Sequence, residues 1–222
     1  MRVHPTGVVV TAALFIGLGD GCTAFKRWAY GEGASRDAWQ QPERVIQVLA
    51  VRPGQRIADL GAGGGYFTFR LGDAVGNTGK VYAVDIDPGM IAYVQRRASE
   101  DGYRNVEVIL AAPDDPRLPQ DGVDLIFTCD TYHHLKDRTA YFARLKKYLR
   151  PGSRVAIIDH SGTTGLFVRL FGHFTSSSAI RSEMEAAGYT LEHEYSFLPR
   201  QNFLVFSRAE GLRKKESASE SP

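Results

Sequence analysis

The sequence predicts an α/β fold built on a mostly parallel sheet with helices on both faces. Short apolar runs rich in valine, isoleucine and leucine alternate along the chain with segments whose apolar residues recur at helical spacing. A chain that alternates in this way folds as a parallel sheet covered by helices on both sides. The length of 222 residues and the hydrophobic share of 43% are those of a single domain with one core.

The first strand and the turn after it form the most informative stretch of the chain. An apolar run from Ile57 reaches the acid Asp59, closely spaced glycines follow, and Tyr66 to Val75 is predicted to be a helix. Glycines let the backbone turn tightly and approach a ligand, while a helix start offers N–H groups without helical partners. This arrangement is typical of a nucleotide pocket. Before it, a helix is predicted from Pro42 to about Val51.

The remaining elements follow in alternation. Further strands are predicted at Lys80 to Asp85, Val106 to Leu110, Val123 to Thr128 and Arg154 to Asp159, and further helices at Gly89 to about Glu100, Asp137 to Leu149 and about Ser177 to Ala187. Two alternating runs, Thr190 to Phe197 and Gln201 to Arg208, are consistent with a sixth and a seventh strand. Residues 209 to 222 are charged and rich in serine, so they should be disordered.

The order and spacing of these motifs resemble those of the class I S-adenosylmethionine (SAM) dependent methyltransferases. The glycines at 61, 63 and 65 after Asp59 match the first motif of that family, and Leu149 to Gly152 (LRPG) matches its Pro-Gly motif. Cys129 to Leu135 (CDTYHHL) is similar to the fourth motif in its His-His-Leu form. The resemblance covers about residues 42 to 208. It implies a Rossmann-like sheet of seven strands with an antiparallel last strand, SAM as cofactor and methyl transfer as reaction.

The cofactor site is predicted from the turn and from the second strand. Asp85 ends that strand 20 residues after Gly65, where an acid accepts hydrogen bonds from both hydroxyls of a ribose. We assign the cap of the following helix to Asp87. The resemblance adds Asp114 for the adenine amino group, with a solvated turn as the alternative, and the backbone at Cys129 for the methionine moiety. The predicted cofactor-binding residues are Asp59, Gly61, Ala62, Gly63, Gly65, Asp85, Ile86, Asp114 and Cys129.

The loop after the fourth strand is the expected acceptor site, because ligands lie beyond the carboxyl ends of parallel strands. Tyr132 and His133 are the candidate catalytic residues, since they would line the acceptor pocket. A histidine there can take a proton from a hydroxyl or an activated carbon, because its pKa lies near working pH. In the structural alternative a histidine ties the loop to backbone groups. We assign that role to His134 and leave His133 open.

The N-terminal 41 residues are predicted to be separate from the domain. Gly7 to Gly19 form an apolar run shorter than the ~20 residues that a spanning helix needs. The run predicts a membrane-directed segment, either an export or lipoprotein-like signal before Cys22, or a weak anchor. A helix that packs on the domain is a third possibility. Because SAM is made in the cytoplasm, and because Lys26 and Arg27 follow the run, we predict a cytoplasmic domain that this segment can anchor.

A linker is expected between the apolar run and the domain, from Trp28 to Gln41. In the family the segment before the first strand often covers the cofactor, so Trp39 is either a lid residue or, as we favour, a side chain that packs the domain edge.

Composition limits the acceptor. The formal net charge of +2 and the lack of a basic face argue against nucleic acid, and two cysteines in different contexts predict neither a disulfide framework nor a metal site. The membrane-directed segment and the apolar run from Gly165 to Phe174 favour a small hydrophobic acceptor. Two other classes stay open. One is an NAD(P)-dependent oxidoreductase, which the bulky Tyr66 disfavours, and the other is a non-catalytic, membrane-anchored protein of the same fold.

Overall fold

The computed structural model describes residues 34–162 and 174–209. They form a seven-stranded sheet with helices on both faces. The helices are α1 (Ala34–Gln40), α2 (Pro42–Val48), α3 (Tyr66–Val75), α4 (Pro88–Glu100), α5 (Arg138–Leu145) and α6 (Ser177–Ala186). The strands are β1 (Arg56–Leu60), β2 (Lys80–Asp85), β3 (Val106–Leu110), β4 (Val123–Cys129), β5 (Leu149–His160), β6 (Tyr189–Tyr195) and β7 (Gln201–Arg208). Short 3-10 turns lie at Tyr132–His134 and Lys146–Tyr148.

The strand order is β3-β2-β1-β4-β5-β7-β6. Strands β1 to β5 pair in parallel, β7 lies antiparallel to β5, and β6 lies antiparallel to β7. The predicted sheet, mostly parallel with an antiparallel last strand, is confirmed. Between β1 and β4 the chain crosses from one half of the sheet to the other, and in open α/β sheets a ligand site forms at such a point.

The sheet is buried on both faces because neighbouring residues of a strand point to opposite sides. Phe127 and Ile158 pack with α2, α3 and α4 on one face, whereas Ile126 and Ile157 pack with α5 and α6 on the other. All four side chains are fully buried. This two-sided core explains why the parallel strands are nearly continuous apolar runs in the sequence.

Helix α1 stands where a linker was predicted, and it is held by polar side chains. The hydroxyl of Tyr66 donates to Asp37, and Arg70 forms an ion pair with the same carboxylate at 3.0 Å. The guanidinium of Arg36 lies 4.0 Å from the centroid of the Tyr66 ring. A helix fixed in this way has no apolar stripe, so periodicity does not reveal it.

Other local predictions are confirmed with small changes in length. Asp87 caps α4, its carboxylate accepting a hydrogen bond from the Gly89 amide over 2.8 Å. The turn after α6 contains Gly188 at φ +83°, the left-handed conformation predicted for it. Strand β5 begins at Leu149 rather than at Arg154, because its first residues also pair with β4 after a shift in register.

Several predictions concern residues outside the described ranges. They are the apolar run at 7–19, Cys22, nearly all of the run at 165–174, and the tail after residue 209. Within 34–162 and 174–209, no helix has both the length and the apolar character needed to cross a bilayer.

Candidate active site

The glycine-rich turn between β1 and α3 has a packed side and an open side. The amides of Gly61 and Ala62 both donate to the carbonyl of Val84 in β2, over 2.8 and 3.1 Å. Gly61 and Gly63 have φ values of +73° and +53°, which side chains disfavour. A Cβ on Gly61 would lie 2.0 Å from Thr131 Oγ1, whereas a Cβ on Gly63 would meet no atom within 4 Å. A ligand can therefore approach the backbone at Gly63.

Asp85 at the end of β2 is in direct contact with this turn. Its Oδ2 accepts a hydrogen bond from the Gly63 amide and its Oδ1 accepts one from the Asp87 amide, each over 2.9 Å. A carboxylate oxygen has two lone pairs, so each oxygen can accept another hydrogen bond from a ligand. Two oxygens held beside an open turn match the two adjacent hydroxyls of a ribose.

Exposed apolar side chains flank Asp85. Ile86 directly after β2 is 65% exposed, and Leu110 at the end of β3 is 44% exposed. Large aliphatic side chains are usually buried, so two that are exposed side by side mark a surface for an apolar partner. The flat face of a nucleotide base is a partner of that kind.

The loop after β3 carries two acids with different surroundings. Asp115 accepts hydrogen bonds from Tyr148 Oη over 2.7 Å and from Lys147 Nζ over 3.0 Å. Asp114, the residue before it, is exposed. Asp115 therefore stabilises the loop, and Asp114 is the acid of the two that can face a ligand.

Asp59 lies beneath the turn and supports it. The residue is 3% exposed, and its carboxylate accepts a hydrogen bond from Thr68 Oγ1 over 2.6 Å. Burial raises the pKa of Asp59 to about 7; the bond from Thr68 opposes this shift and the charge of Asp85 adds to it. Gly65, at φ +84°, lets α3 begin directly above this carboxylate. Asp59 thus fixes the start of α3 from below.

Cys129 ends β4 beneath α1. Its Sγ accepts a hydrogen bond from Gln40 Nε2 over 3.2 Å. Burial and the nearby Asp130 carboxylate raise the pKa of the thiol well above its usual range. The sulfur is therefore a neutral packing group.

A network of polar side chains joins α1 to β4 and β7. Gln40 is fully buried and donates to Gln201 Oε1 over 2.6 Å, and Gln201 donates to Asp130 Oδ1 over 2.6 Å. Arg36 lies 3.5 Å from the other oxygen of Asp130. Asp130 has φ +55°, which is unfavourable for a residue with a side chain. The network stabilises this backbone conformation.

The two candidate catalytic residues lie in different environments. Tyr132 is fully buried against α5 and α6, and its hydroxyl donates to Glu183 Oε2 over 2.7 Å. Burial and, as a smaller effect, the hydrogen bond to Glu183 raise the pKa of Tyr132 far above its usual range. His133 Nδ1 lies 2.6 Å from Oδ1 of Asp159 in β5. This contact ties the turn to β5 through His133, the residue that we left open, with a carboxylate as partner. His134 lies at the surface, and the backbone tie that we assigned to it stays a prediction.

Trp39 borders the same edge of the sheet. Its ring is stacked on that of His160 with centroids 6.4 Å apart, and the guanidinium of Arg200 lies 5.1 Å from its centroid. His160 Nε2 is 3.4 Å from Asp130 Oδ1. Trp39 therefore stands above the ends of β4 and β5, beside the expected acceptor site.

The comparison with known proteins decides the family. The model of a methyltransferase domain matches residues 52–200, which include β1 to β6 and the whole glycine-rich turn. The chain belongs to the class I SAM-dependent methyltransferases. The cofactor of this methyltransferase is SAM. Membership decides against the oxidoreductase alternative.

The methyltransferase resembles proteins with several substrates. A SAM dependent methyltransferase from Aquifex aeolicus has a TM-score of 0.76 at 25% identity, covering 83% of this chain and 97% of that chain. Aklanonic acid methyltransferase DauC of Streptomyces sp. (strain C5) is 30% identical over 132 residues, 60% of each protein. Ubiquinone/menaquinone biosynthesis C-methyltransferase UbiE of Shewanella frigidimarina is 26% identical over 118 residues, 53% of this chain and 47% of the relative. The methyltransferase thus spans 60%, 26% and 47% of the first three curated relatives.

The residues of this methyltransferase fit the adenosine part of SAM. A Cβ at Gly63 would enter the open space beside the turn, and Asp85 presents two oxygens to that space. Ile86 and Leu110 offer apolar faces next to them. The backbone, the carboxylate and the apolar flank lie at the ends of β1, β2 and β3, the place predicted for the cofactor.

Several site residues were not predicted from the sequence. Asp159 could have been predicted as a site residue from the sequence, because it is an acid at the carboxyl end of a predicted strand, as Asp85 is. Gln40 and Gln201 could not, since the contacts that join them to each other, to Cys129 and to Asp130 span 71 to 161 positions of the chain.

Proposed function

We propose that this methyltransferase transfers the methyl group of SAM to a small hydrophobic acceptor over the ends of β4 and β5. The contact between the Gly63 amide and Asp85, next to an open turn, is the observation that carries the proposal. This contact places the open turn, which can accommodate a nucleoside, next to the carboxylate that can bind the ribose hydroxyls. The proposed cofactor residues are Asp59, Gly61, Ala62, Gly63, Gly65, Asp85, Ile86, Asp114 and Cys129.

The position of α1 supports a small acceptor. The helix lies against the ends of β4 and β7, where Gln40 contacts both Cys129 and Gln201. The same helix places the Trp39 ring beside His160 at this edge, and the face of such a ring suits a small apolar molecule. A folded nucleic acid would need a basic surface, and the formal net charge of +2 offers no large excess of cations.

The chain's own task in such a reaction is to hold two molecules in line and to exclude water. SAM, when bound, supplies an electrophilic methyl group on a sulfonium. The turn and Asp85 orient the nucleoside end, while α1, β4 and β5 orient the acceptor. Methyl transfer of this kind needs few reactive protein groups, which agrees with the neutral, buried Cys129.

Calorimetric titration of the full chain with SAM and with S-adenosylhomocysteine tests the cofactor site. We expect micromolar binding to the wild type. Asp85→Ala removes two charged acceptors for the ribose and should weaken binding by roughly 100-fold or more, since hydrogen bonds to charged groups contribute about 1.5–3 kcal/mol each.

Asp87→Ala is the matched control for that titration. It removes the cap of α4, so we expect a stability loss of about 1 kcal/mol with binding retained. A wild-type chain that binds neither compound would overturn the proposed cofactor site and would favour a non-catalytic member of the fold.

Methyl transfer from radiolabelled SAM tests the acceptor. A hydroquinone with an alkyl chain and the polar amine phosphoethanolamine form a suitable pair, because both are small and they differ in hydrophobicity. We expect turnover of the hydroquinone. Turnover of phosphoethanolamine alone would contradict the hydrophobic acceptor and leave the cofactor site intact.

A further inference from the structure

A histidine and a carboxylate form a buried pair at the edge where the acceptor is expected. His133 Nδ1 lies 2.6 Å from Asp159 Oδ1, and the two side chains are 5% and 0% exposed. A contact of this length between nitrogen and oxygen is a short, charge-assisted hydrogen bond. It joins the turn after β4 to the last residues of β5.

The pair is close to the cofactor turn. Thr131, two residues before His133, packs on Gly61 so tightly that a Cβ there would lie 2.0 Å from its Oγ1. The amide of His134 donates to the Thr131 carbonyl over 2.9 Å, which makes the segment one compact turn. The backbone that carries the imidazole is therefore fixed relative to the glycine-rich turn.

Asp159 depends on the imidazole. Its Oδ2 is buried and has no hydrogen-bond partner among the described residues, so Oδ1 makes the contact that compensates the buried carboxylate. A carboxylate can only accept, so the proton of the pair lies on Nδ1. In its neutral form the ring then has its lone pair on Nε2, and this tautomer can accept a proton there.

We propose that His133 is the general base of the reaction and that Asp159 is its positioning residue. This rests on the proposed function and narrows it: the acceptor atom must lose a proton, so it is a phenol-like hydroxyl or an acidic C–H rather than a thioether or a free amine. The nearby groups are Asp159 on β5, His134 with its ring centroid at 4.0 Å, and His160 with its ring centroid at 6.3 Å and Asp130 beyond it.

The proton step balances within the chain and the acceptor. The acceptor O–H or C–H bond breaks, its electron pair stays on the acceptor atom, and the proton forms an N–H bond with Nε2 of His133. The imidazolium faces the Asp159 carboxylate, which stabilises the new charge. The electron pair left on the acceptor is the one that bonds to the methyl group that SAM supplies. The proton later passes to solvent.

A purely structural pair predicts different behaviour. If the pair only ties the turn to β5, its loss lowers stability and leaves the chemistry of a folded variant unchanged. If it forms the base, an isosteric change at Asp159 alters the tautomer of His133 and the pH dependence of the reaction.

The experiment compares wild type, Asp159→Asn and His133→Gln in the full chain, with His193→Gln as control because His193 is exposed on β6. Nitrogen NMR of histidine-labelled protein saturated with S-adenosylhomocysteine reports the tautomer and titration of His133. Radiolabelled methyl transfer to 1-naphthol and to 1-naphthylamine compares an acceptor that must lose a proton early with one that need not.

We expect the neutral form of the His133 ring to carry its hydrogen on Nδ1, and we expect a changed tautomer in Asp159→Asn. Methylation of 1-naphthol should fall by roughly 10²–10⁴-fold in His133→Gln, with SAM affinity retained. A neutral ring with its hydrogen on Nε2, or a tautomer unaffected by Asp159→Asn, would overturn the proposal.

Methyl transfer gives the second decision. Methylation of 1-naphthylamine alone, or a His133→Gln variant as fast as wild type, would also overturn the role of His133 as general base. Calorimetric binding of SAM to the same protein would leave the proposed function standing. If neither naphthalene is methylated, the tautomer of His133 and its response to Asp159→Asn decide the proposal by the same criteria.

Discussion

The two halves of the carboxyl edge are built in different ways. The half formed by β1, β2 and β3 is made of backbone: Gly61, Gly63 and Val84 set its shape through amide contacts, and Asp85 is the group that we propose for the ribose. Its contacts join neighbouring strands over 22 to 23 positions of the chain, and its apolar flank is exposed.

The half formed by β4, β5 and β7 is made of side chains. Gln40, Asp130, Gln201 and the His133–Asp159 pair meet from distant parts of the chain, and most of them are buried. The half that we propose for the cofactor is thus specified by backbone and glycine. The half that we propose for the acceptor depends on side chains that tertiary packing brings together.

The largest expected effect concerns Asp59, a buried carboxyl in the half built from backbone. Its pKa is raised by burial to about 7, so the folded state holds a proton that the unfolded state releases near pH 4. Stability should therefore fall as pH rises from about 4 to about 7, by roughly 4 kcal/mol in total. Asp59→Asn should remove this fall in denaturant unfolding measured at several pH values.

Asp115→Asn is the control of opposite sign. Burial opposes the shift, but hydrogen bonds from Tyr148, the Arg117 amide and Lys147 lower the pKa of Asp115 to about 2. Asp115 therefore stabilises the folded chain at any pH above the pKa that it has in the unfolded chain. This contribution is lost as pH falls towards about 2. Equal pH profiles for wild type and Asp59→Asn would show that Asp59 is hydrated in the folded chain.

The next effect tests whether the cofactor half depends on backbone. Gly63 and Gly102 both have positive φ and open space at Cβ, but Gly102 follows α4, away from the glycine-rich turn. Alanine at either position should cost a similar 1–2 kcal/mol, roughly, from the strained φ. Calorimetry should show that only Gly63→Ala loses SAM binding, by about 100-fold or 2.7 kcal/mol. Equal binding by both variants would place SAM elsewhere.

A smaller effect tests the half built from side chains. Gln40→Ala removes the amide group that donates to the buried side-chain oxygen Oε1 of Gln201 and to Cys129 Sγ. An unsatisfied buried acceptor costs about 1–3 kcal/mol, so thermal unfolding should shift to lower temperature. Gln47→Ala on the exposed face of α2 is the control and should change little. Matching losses would mean that α1 contributes no stability to this edge.

The smallest effect concerns Tyr132, which shares the turn with His133 but faces the core. Tyr132→Phe removes one hydrogen bond to Glu183, which keeps two from Arg138 over 2.7 Å each. We expect a loss of about 1 kcal/mol in denaturant unfolding. SAM binding should be unchanged. A large loss of methyl transfer in the folded variant would bring Tyr132 back as a catalytic residue.

Much of the fold followed from local patterns. The glycine-rich turn, Asp85 at the end of β2, the Asp87 cap and the final strand Gln201–Arg208 are each a short stretch whose residue types restrict the backbone. Helix α1 did not follow, because Arg36 and Asp37 are fixed by Tyr66 and Arg70 rather than by an apolar stripe.

The sequence by itself determined the parallel sheet, the cofactor turn and the acid beside it, because each is dictated within one strand, turn and helix. Tertiary structure decided which histidine of the pair is buried, that Asp159 is its partner, and that Gln40 and Gln201 meet over Cys129. Each of these contacts joins separate helices and strands. A local sequence pattern cannot predict such a contact, because the strand order of the folded sheet brings the residues together.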